Sequence, residues 1–292
     1  MRKNFITIGS FDGVHIGHRH LMSVLKMLAE ENGMSPLILA FPYPPRVVAG
    51  GNRIMSVITL PQEKFEIIKS LNIGKLQKLD FEEVKNTDRE EFFKVLLNKY
   101  KMGGLIVGKD FAMGKDRLGN GEFLRKACAE AGVIFEQADF VQTAGHKVSS
   151  SSIRKALNEG NIDAVTEMLG RRYYICGKVV KGRQLGRKMG FPTANIKTDP
   201  HKILPRGIYA VEVFLGKETF KGVCNIGSRP TVELHGLPST EVHILDFDRN
   251  IYGRNLGVNF AAKIRDEIKF DTLGELVQQI NKDTICAYKI LK

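Results

Sequence analysis

The chain lacks any apolar run long enough to cross a bilayer. Its longest stretches, such as Leu37 to Phe41, are closed by Gly, Pro or charge far short of the roughly 18 to 20 residues that a membrane helix needs. An export signal is not expected either, because Met1-Arg2-Lys3 is followed only by Phe5 to Ile8 before Gly9 and Asp12. Cysteine is scarce and scattered. Cys128, Cys176, Cys224 and Cys286 lie dozens of residues apart, which excludes a zinc knuckle or a CxxC redox pair and predicts reduced, mostly buried thiols in a cytoplasmic protein. There is no internal repeat and no low-complexity tract. No histidine has a carboxylate partner at catalytic spacing, so a Ser-His-Asp hydrolase is not supported.

What is present is an ordinary folded composition: 292 residues, 43% hydrophobic and 26% charged, enough for two domains. The net charge of +12 is uneven. Through Met168 there are 23 basic and 20 acidic residues, and from Leu169 onward 21 and 12. The second part therefore carries the field, which favours nucleic acid or small phosphorylated ligands; no Lys/Arg block is long enough to choose between them.

The first part alternates short apolar runs with helix-period segments, the pattern of a parallel sheet with helices on its faces. Strands are predicted at Phe5 to Ile8, Leu37 to Phe41, Lys75 to Phe81, Leu105 to Val107 and Val133 to Gln137. Helices are predicted around Leu21 to Leu28, Lys64 to Leu71, Phe92 to Leu96 and Glu122 to Ala131. Two short capped helices, Ser152 to Asn158 and Asn161 to Leu169, each stop at a glycine. Beyond them come strands separated by Gly/Pro turns: Tyr173 to Val180, Tyr209 to Leu215, Phe220 to Ile226, Glu241 to Phe247 and Leu256 to Ile264. The expected architecture is a parallel α/β domain over 1–168 and a small antiparallel β-barrel over 169–292. A terminal helix bearing Leu273, Leu276, Val277 and Ile280 is expected across one barrel opening.

Three segments of the first part carry chemistry. Gly9, Ser10, Phe11 and Asp12 follow the first strand and run through His15 and His18 into a helix, the place where an α/β sheet binds phosphates. Two histidines three apart on that turn can donate hydrogen bonds to a polyphosphate as its charge rearranges. Gly108 to Lys115 has five residues between its glycines and Asp116 after the lysine, so it is not a Walker A loop. Ser149, Ser150, Ser151 and Ser152 at a helix start, with Arg154 one turn in, offer hydroxyls, backbone N–H groups and a fixed charge for an anion.

In the second part, Gly182, Gly186 and Gly190 recur every four residues, allowing close approach of backbone to phosphate among Arg183, Arg187 and Lys188. Phe191 and Pro192 follow. Thr193 and Asn195 then supply a hydroxyl and an amide oxygen two residues apart, hard ligands suited to nucleotide-bound Mg²⁺. Phe191 is the one stacking aromatic there, thin for a single-strand nucleic-acid binder. His20 is expected on the exposed side of its helix, His243 in a barrel strand, and His146, His201 and His235 in loops.

These segments also carry a resemblance. His15-Ile-Gly-His18 preceded by Phe11-Asp-Gly resembles the nucleotidylyltransferase superfamily, and the segments at Gly108 with Asp110 and at Ser149 to Arg154 resemble its FAD synthetase (FMN adenylyltransferase) branch. Gly190-Phe-Pro-Thr-Ala-Asn195 resembles the riboflavin kinase signature. Asn225 to Thr231, Glu241 to Phe247, Tyr252-Gly253 and Arg265-Asp-Glu267 follow in that family's order. The resemblance departs in two places: no His in Phe41 to Pro45, and Ser where Thr is common in the third motif.

The whole chain is thus similar to the bifunctional bacterial family that joins the two activities. The resemblance implies ATP sites at Gly9 to Asp12, Gly108, Asp110 and Ser149 to Ser152, with His15, His18 and Arg154 catalytic. It implies a second ATP site at Gly182, Gly186, Arg187, Gly190, Phe191 and Pro192, Mg²⁺ on Thr193 and Asn195, Glu241 as base and Arg265 against flavin. Riboflavin, FMN and ATP would be the small-molecule partners and FAD the final product, with no nucleic acid or membrane. A chain with one live activity, or a basic flavin- or RNA-binding regulator, are the alternatives.

Overall fold

The computed structural model describes residues 2–49, 56–143, 146–182, 184–227 and 238–292. It divides into two compact units, Met1–Ser150 and Ser151–Lys292, so the division falls before the two capped helices expected to close the first domain.

The first unit follows the order β1 (Asn4–Gly9), α1 (Ile16–Glu31), β2 (Ser35–Ala40), α2 (Pro45–Ala49), α3 (Pro61–Ser70), β3 (Lys75–Lys78), α4 (Phe81–Val84), α5 (Arg89–Asn98), β4 (Met102–Gly108), α6 (Gly121–Glu130) and β5 (Ile134–Ala138), then a short hairpin, β6 (Gln142–Thr143) and β7 (His146–Lys147). The five long strands form one parallel sheet ordered β3-β2-β1-β4-β5. Alternate residues of its strands feed two cores. Phe5, Ile38 and Ile106 pack with Met22 and Leu25 of α1 and Phe65 of α3; Ile6, Ile8, Leu39 and Leu105 pack with Phe92 and Leu96 of α5 and Leu124 of α6. Helices therefore cover both faces, which is why the central strands β1, β2 and β4 read as nearly continuous apolar runs, while the edge strands β3 and β5 are more polar. From β1 the chain runs toward β2, while β4 lies on the other side. The carboxyl ends of β1 and β4 thus flank a topological switch point.

The second unit comprises α7 (Ser150–Asn158), whose first residue closes the first unit, α8 (Ile162–Leu169), β8 (Tyr174–Val180), α9 (Leu185–Lys188), β9 (Ala194–Thr198), β10 (Gly207–Leu215), β11 (Glu218–Gly227), β12 (Ser239–Ile244), β13 (Asn255–Arg265) and α10 (Leu273–Ile290). Asn161 caps α8 by accepting from Ala164 N, and Gly170 ends it in the left-handed region. The six strands close a barrel in the order β10-β11-β12-β9-β8-β13. Tyr173, Tyr209 and Phe260 meet inside it, ring to ring. Strand β9 is an addition to the five expected. Helix α10 buries Ala287 and Leu291 against Ala210, Val223 and Ala261. Ala210 alternates with the inward Tyr209 and Val211, so α10 lies on the outer wall of β10, β11 and β13 rather than across an opening.

Candidate functional site

In the first unit the site is built from the loop that joins β1 to α1. Phe11 and Val14 both have positive φ, 45° and 40°, and Val14 N donates to Phe11 O at 3.0 Å, a tight turn that a β-branched residue enters only under constraint. Asp12 provides that constraint. Its buried Oδ1 accepts from Ile58 N at 3.0 Å and Thr59 N at 3.1 Å, while Gly13 N donates to Thr59 Oγ1 at 3.0 Å. Gly9 is required as glycine, since a Cβ there would lie 2.9 Å from the Phe11 ring. Ser150 Oγ donates to Asp12 O at 2.8 Å, bringing the serine segment onto the same loop.

The turn delivers two histidines together. His15 is buried and caps α1, its Nδ1 accepting from His18 N at 3.3 Å, so a neutral His15 carries its proton on Nε2. The His15 and His18 rings stack at 3.6 Å, and Phe11 sets its edge against His18. Burial, then the neighbouring His15 and Lys64, holds the His18 pKa well below the usual imidazole value, so His18 is neutral at pH 7. Neutral His18 at the helix N-terminus carries one ring N–H, the kind of donor that an anion there accepts from.

Across the switch point, Gly108 ends β4 and its carbonyl accepts from Phe111 N at 3.0 Å, which leaves Asp110 exposed on the turn. A 3₁₀ turn, Lys115–Arg117, follows in place of the helix that a P-loop requires. Ser149 and Ser150 lie in the first unit. Ser151, Ser152 and the half-buried Arg154 are on α7 in the second.

The residue that sequence reasoning missed is Lys64. It is fully buried, and its Nζ donates to Ser10 O at 2.8 Å, Phe41 O at 2.6 Å and Pro42 O at 2.8 Å. The available signal was its spacing: Lys64 shares the inward stripe of α3 with Ile68.

In the second unit the site lies along β12, β9 and the flap before β9. Glu241 on β12 is the register partner of Asn195 on β9, and Thr193 Oγ1 donates to Glu241 Oε2 at 3.4 Å. Asn195 is buried. A Cβ at Gly182 would reach 2.6 Å from Asn195 Cγ, and one at Gly186 would collide with Phe191 O, so both glycines are close-approach positions. Phe191 N donates to Gly186 O at 2.9 Å, folding the flap back on itself, and Gly190 turns at φ 85°. His243 Nδ1 donates to Pro192 O at 2.8 Å and its ring meets the Phe191 edge, which accounts for that histidine structurally.

Arg187, Pro192 and Thr193 line a cavity of about 370 Å³ whose other walls include Val242, Phe247 and Tyr252. Gln184 Nε2 donates to Tyr252 OH at 3.2 Å across its mouth. The neighbouring Arg183, and Ser228 to Thr231 of the expected Asn225 motif, lie outside the described residues, as does His235. Thr193 Oγ1 and Asn195 Oδ1 form a neutral hard-oxygen donor pair, which suits a magnesium ion that keeps phosphate oxygens and water for its other positions. No cluster of three His, Cys, Asp or Glu exists among the described residues.

Arg265, which the resemblance sets against flavin, is at the end of β13. Its Nε and Nη2 grip buried Asp283 of α10 at 2.9 and 2.7 Å, and Nη1 donates to Asp266 O at 2.9 Å. Gln279 Nε2 donates to the same carboxylate at 2.9 Å. The guanidinium thus ties β13 to α10.

Comparison with known proteins also finds two parts in the chain. A FAD synthetase family model matches residues 1–152 and a riboflavin kinase model matches 169–291. The chain is 35% identical to a bifunctional riboflavin kinase/FMN adenylyltransferase of Haemophilus influenzae, covering 95% of this chain and 91% of the relative. It is 32% identical to the Bacillus subtilis protein of the same description, over 96% and 90%. A solved Streptococcus pneumoniae structure described as a macrolide-efflux protein superposes with TM-score 0.87 at 27% identity, over 99% and 95% of the two chains. That description belongs to the pneumococcal protein; among the described residues here no helix is long and apolar enough to cross a membrane. The fold and the comparisons define a two-unit protein of the nucleotide-handling class. The chain belongs to the bifunctional riboflavin kinase/FMN adenylyltransferase family.

Proposed function

We propose that this chain makes FAD in two steps. The barrel unit transfers the γ-phosphoryl group of ATP to riboflavin, giving FMN, and the α/β unit transfers an adenylyl group from a second ATP to FMN, giving FAD and pyrophosphate. The observation that carries the reading is that one chain holds two separately braced glycine-containing loops. One is at the switch point of a parallel sheet, and one lies against a barrel carboxylate.

The two acceptors make different demands. Riboflavin offers a neutral primary hydroxyl that must lose a proton as it attacks phosphorus, and Glu241 is the base assigned to it. Thr193 donates its proton to Glu241, which holds the carboxylate in place and turns the hydroxyl lone pairs outward as acceptors. Thr193 and Asn195 would hold Mg²⁺, which neutralises phosphate charge when bound. Gly182, Gly186, Gly190, Phe191 and Pro192 shape the flap around the phosphates, and Arg187 faces them from the cavity wall.

FMN, by contrast, presents a phosphate already ionised near neutral pH, so the first unit needs alignment and charge stabilisation without a base. His15 and His18 donate to the polyphosphate. Gly9, Ser10, Phe11, Gly108, Asp110, Ser149 and Ser150 bound the nucleotide. Asp12 acts through the loop it anchors. ATP as donor and four free cysteines support a cytoplasmic location and small-molecule partners. Incubation with riboflavin, ATP and Mg²⁺, followed by separation of the flavins, tests the whole reading: FMN and then FAD are expected, and the absence of both refutes it.

A further inference from the structure

Lys64 is a buried cation that the two-step reading leaves without a task. It stands at the fourth position of α3, the helix entered from the same segment whose Ile58 and Thr59 anchor Asp12. One stretch of chain therefore grips the β1–α1 loop at three points: Ser10 through Lys64, Asp12 through two backbone N–H groups, and Gly13 through the Thr59 hydroxyl. Lys64 also reaches the chain leaving β2, at Phe41 O and Pro42 O. Its three protons meet three carbonyls, an exact count. The amine left by deprotonation has two N–H donors and must release one of them.

We propose that Lys64, as its ammonium, is a positioning residue for adenylyl transfer: it ties the carbonyls that follow β1 and β2 into one frame, and loss of its proton loosens the loop that presents His15 and His18. The inference rests on the α/β unit being the FMN adenylyltransferase. Burial pulls the Lys64 pKa down to about 8, with Asp12 opposing. Asp12 on the loop and His18 on α1 are linked to it electrostatically. The pH at which the frame opens thus lies near the working range.

Stability runs the other way. A lysine whose folded pKa is depressed binds fewer protons folded than unfolded between about 8 and 10.5, so this group makes the fold more stable as pH rises through that window. An alkaline loss of activity from this source is therefore not accompanied by an alkaline loss of fold.

The test measures kcat/KM for FMN-to-FAD conversion and, on the same protein, for riboflavin-to-FMN conversion, from about pH 7 to about pH 9.5. The wild type is expected to lose half its FAD-forming rate near pH 8 and roughly tenfold by about pH 9, while FMN formation shows no inflection there and the melting temperature is not lowered by this titration. Lys64→Met is expected to be low in FAD formation at every pH without the inflection, and Lys64→Arg, which does not titrate in this range, to lack the alkaline limb. A wild-type FAD-forming rate flat across the range overturns the inference, as does a Lys64→Met protein with the wild-type rate and profile. The wild-type profile decides the matter even if the variants fail to fold. No FAD at any pH would instead refute the assignment of adenylyl transfer to the chain.

Discussion

Replacing Gly182 by alanine adds one methyl group and tests the geometry of the barrel site directly. That Cβ would lie 2.6 Å from Cγ and 2.8 Å from Oδ1 of Asn195, and would overlap its Nδ2. Ordinary contact begins at 3.4 Å, so relieving the Cγ contact alone takes about 0.8 Å and the closer Nδ2 takes more. Asn195 is buried and held in register between Val180 and Glu241, so it has little room to yield; the alternative is that the flap carrying Gly182 swings away. Either movement separates the phosphate-facing flap from the hydroxyl and amide oxygens assigned to the cation. A displacement approaching 1 Å in a positioning group costs on the order of 100-fold in rate. We therefore expect Gly182→Ala to slow riboflavin phosphorylation by about 100-fold, with FMN-to-FAD conversion unchanged, in coupled and separated-flavin assays on one protein preparation. A variant that makes FMN within about threefold of wild type would show that the close approach is not part of the site.

Other outcomes follow from the same geometry. Glu241→Gln keeps the shape but cannot accept a proton, so FMN formation should fall by roughly 10² to 10⁴-fold with FAD formation from supplied FMN intact; an equal loss of both rates contradicts the separation of sites. Arg265→Ala takes the charged partner from the buried Asp283 carboxylate, leaving it the Gln279 amide, and should lower unfolding free energy by about 3 kcal/mol in denaturant titration. His18 has a depressed folded pKa, so its contribution to stability is whole above about pH 6.5 and is lost as pH falls through the folded value. Imidazole NMR should show it neutral throughout the neutral range, and a resonance titrating near 6.5 would contradict the burial argument.

The features that could be read from the sequence were those with a local cause. The central strands β1, β2 and β4 announced themselves as apolar runs because helices cover both faces of the sheet, and α8 because Asn161 and Gly170 mark its ends chemically. The β1–α1 loop was equally legible, since Gly9, Asp12, Gly13 and His15 meet turn and cap requirements within a few residues. What escaped was non-local. Strand β9 is only five residues long, Ala-Asn-Ile-Lys-Thr, and its pairing with β12 and β8 is not visible in that string. Lys64 resembles any helix-surface lysine until three carbonyls from two other strands' ends close on it. The pairing of Arg265 with Asp283, 18 residues further on, is equally invisible in the string. Helix α10 was expected over a barrel opening because its apolar stripe identifies a buried face without saying which wall covers it.

The account depends most on there being two independent nucleotide sites in one chain. Calorimetric titration of the protein with a non-hydrolysable ATP analogue in the presence of Mg²⁺ should reach two molecules bound per chain, with Gly182→Ala weakening one class of site and leaving the other. Saturation at a single molecule per chain would contradict it.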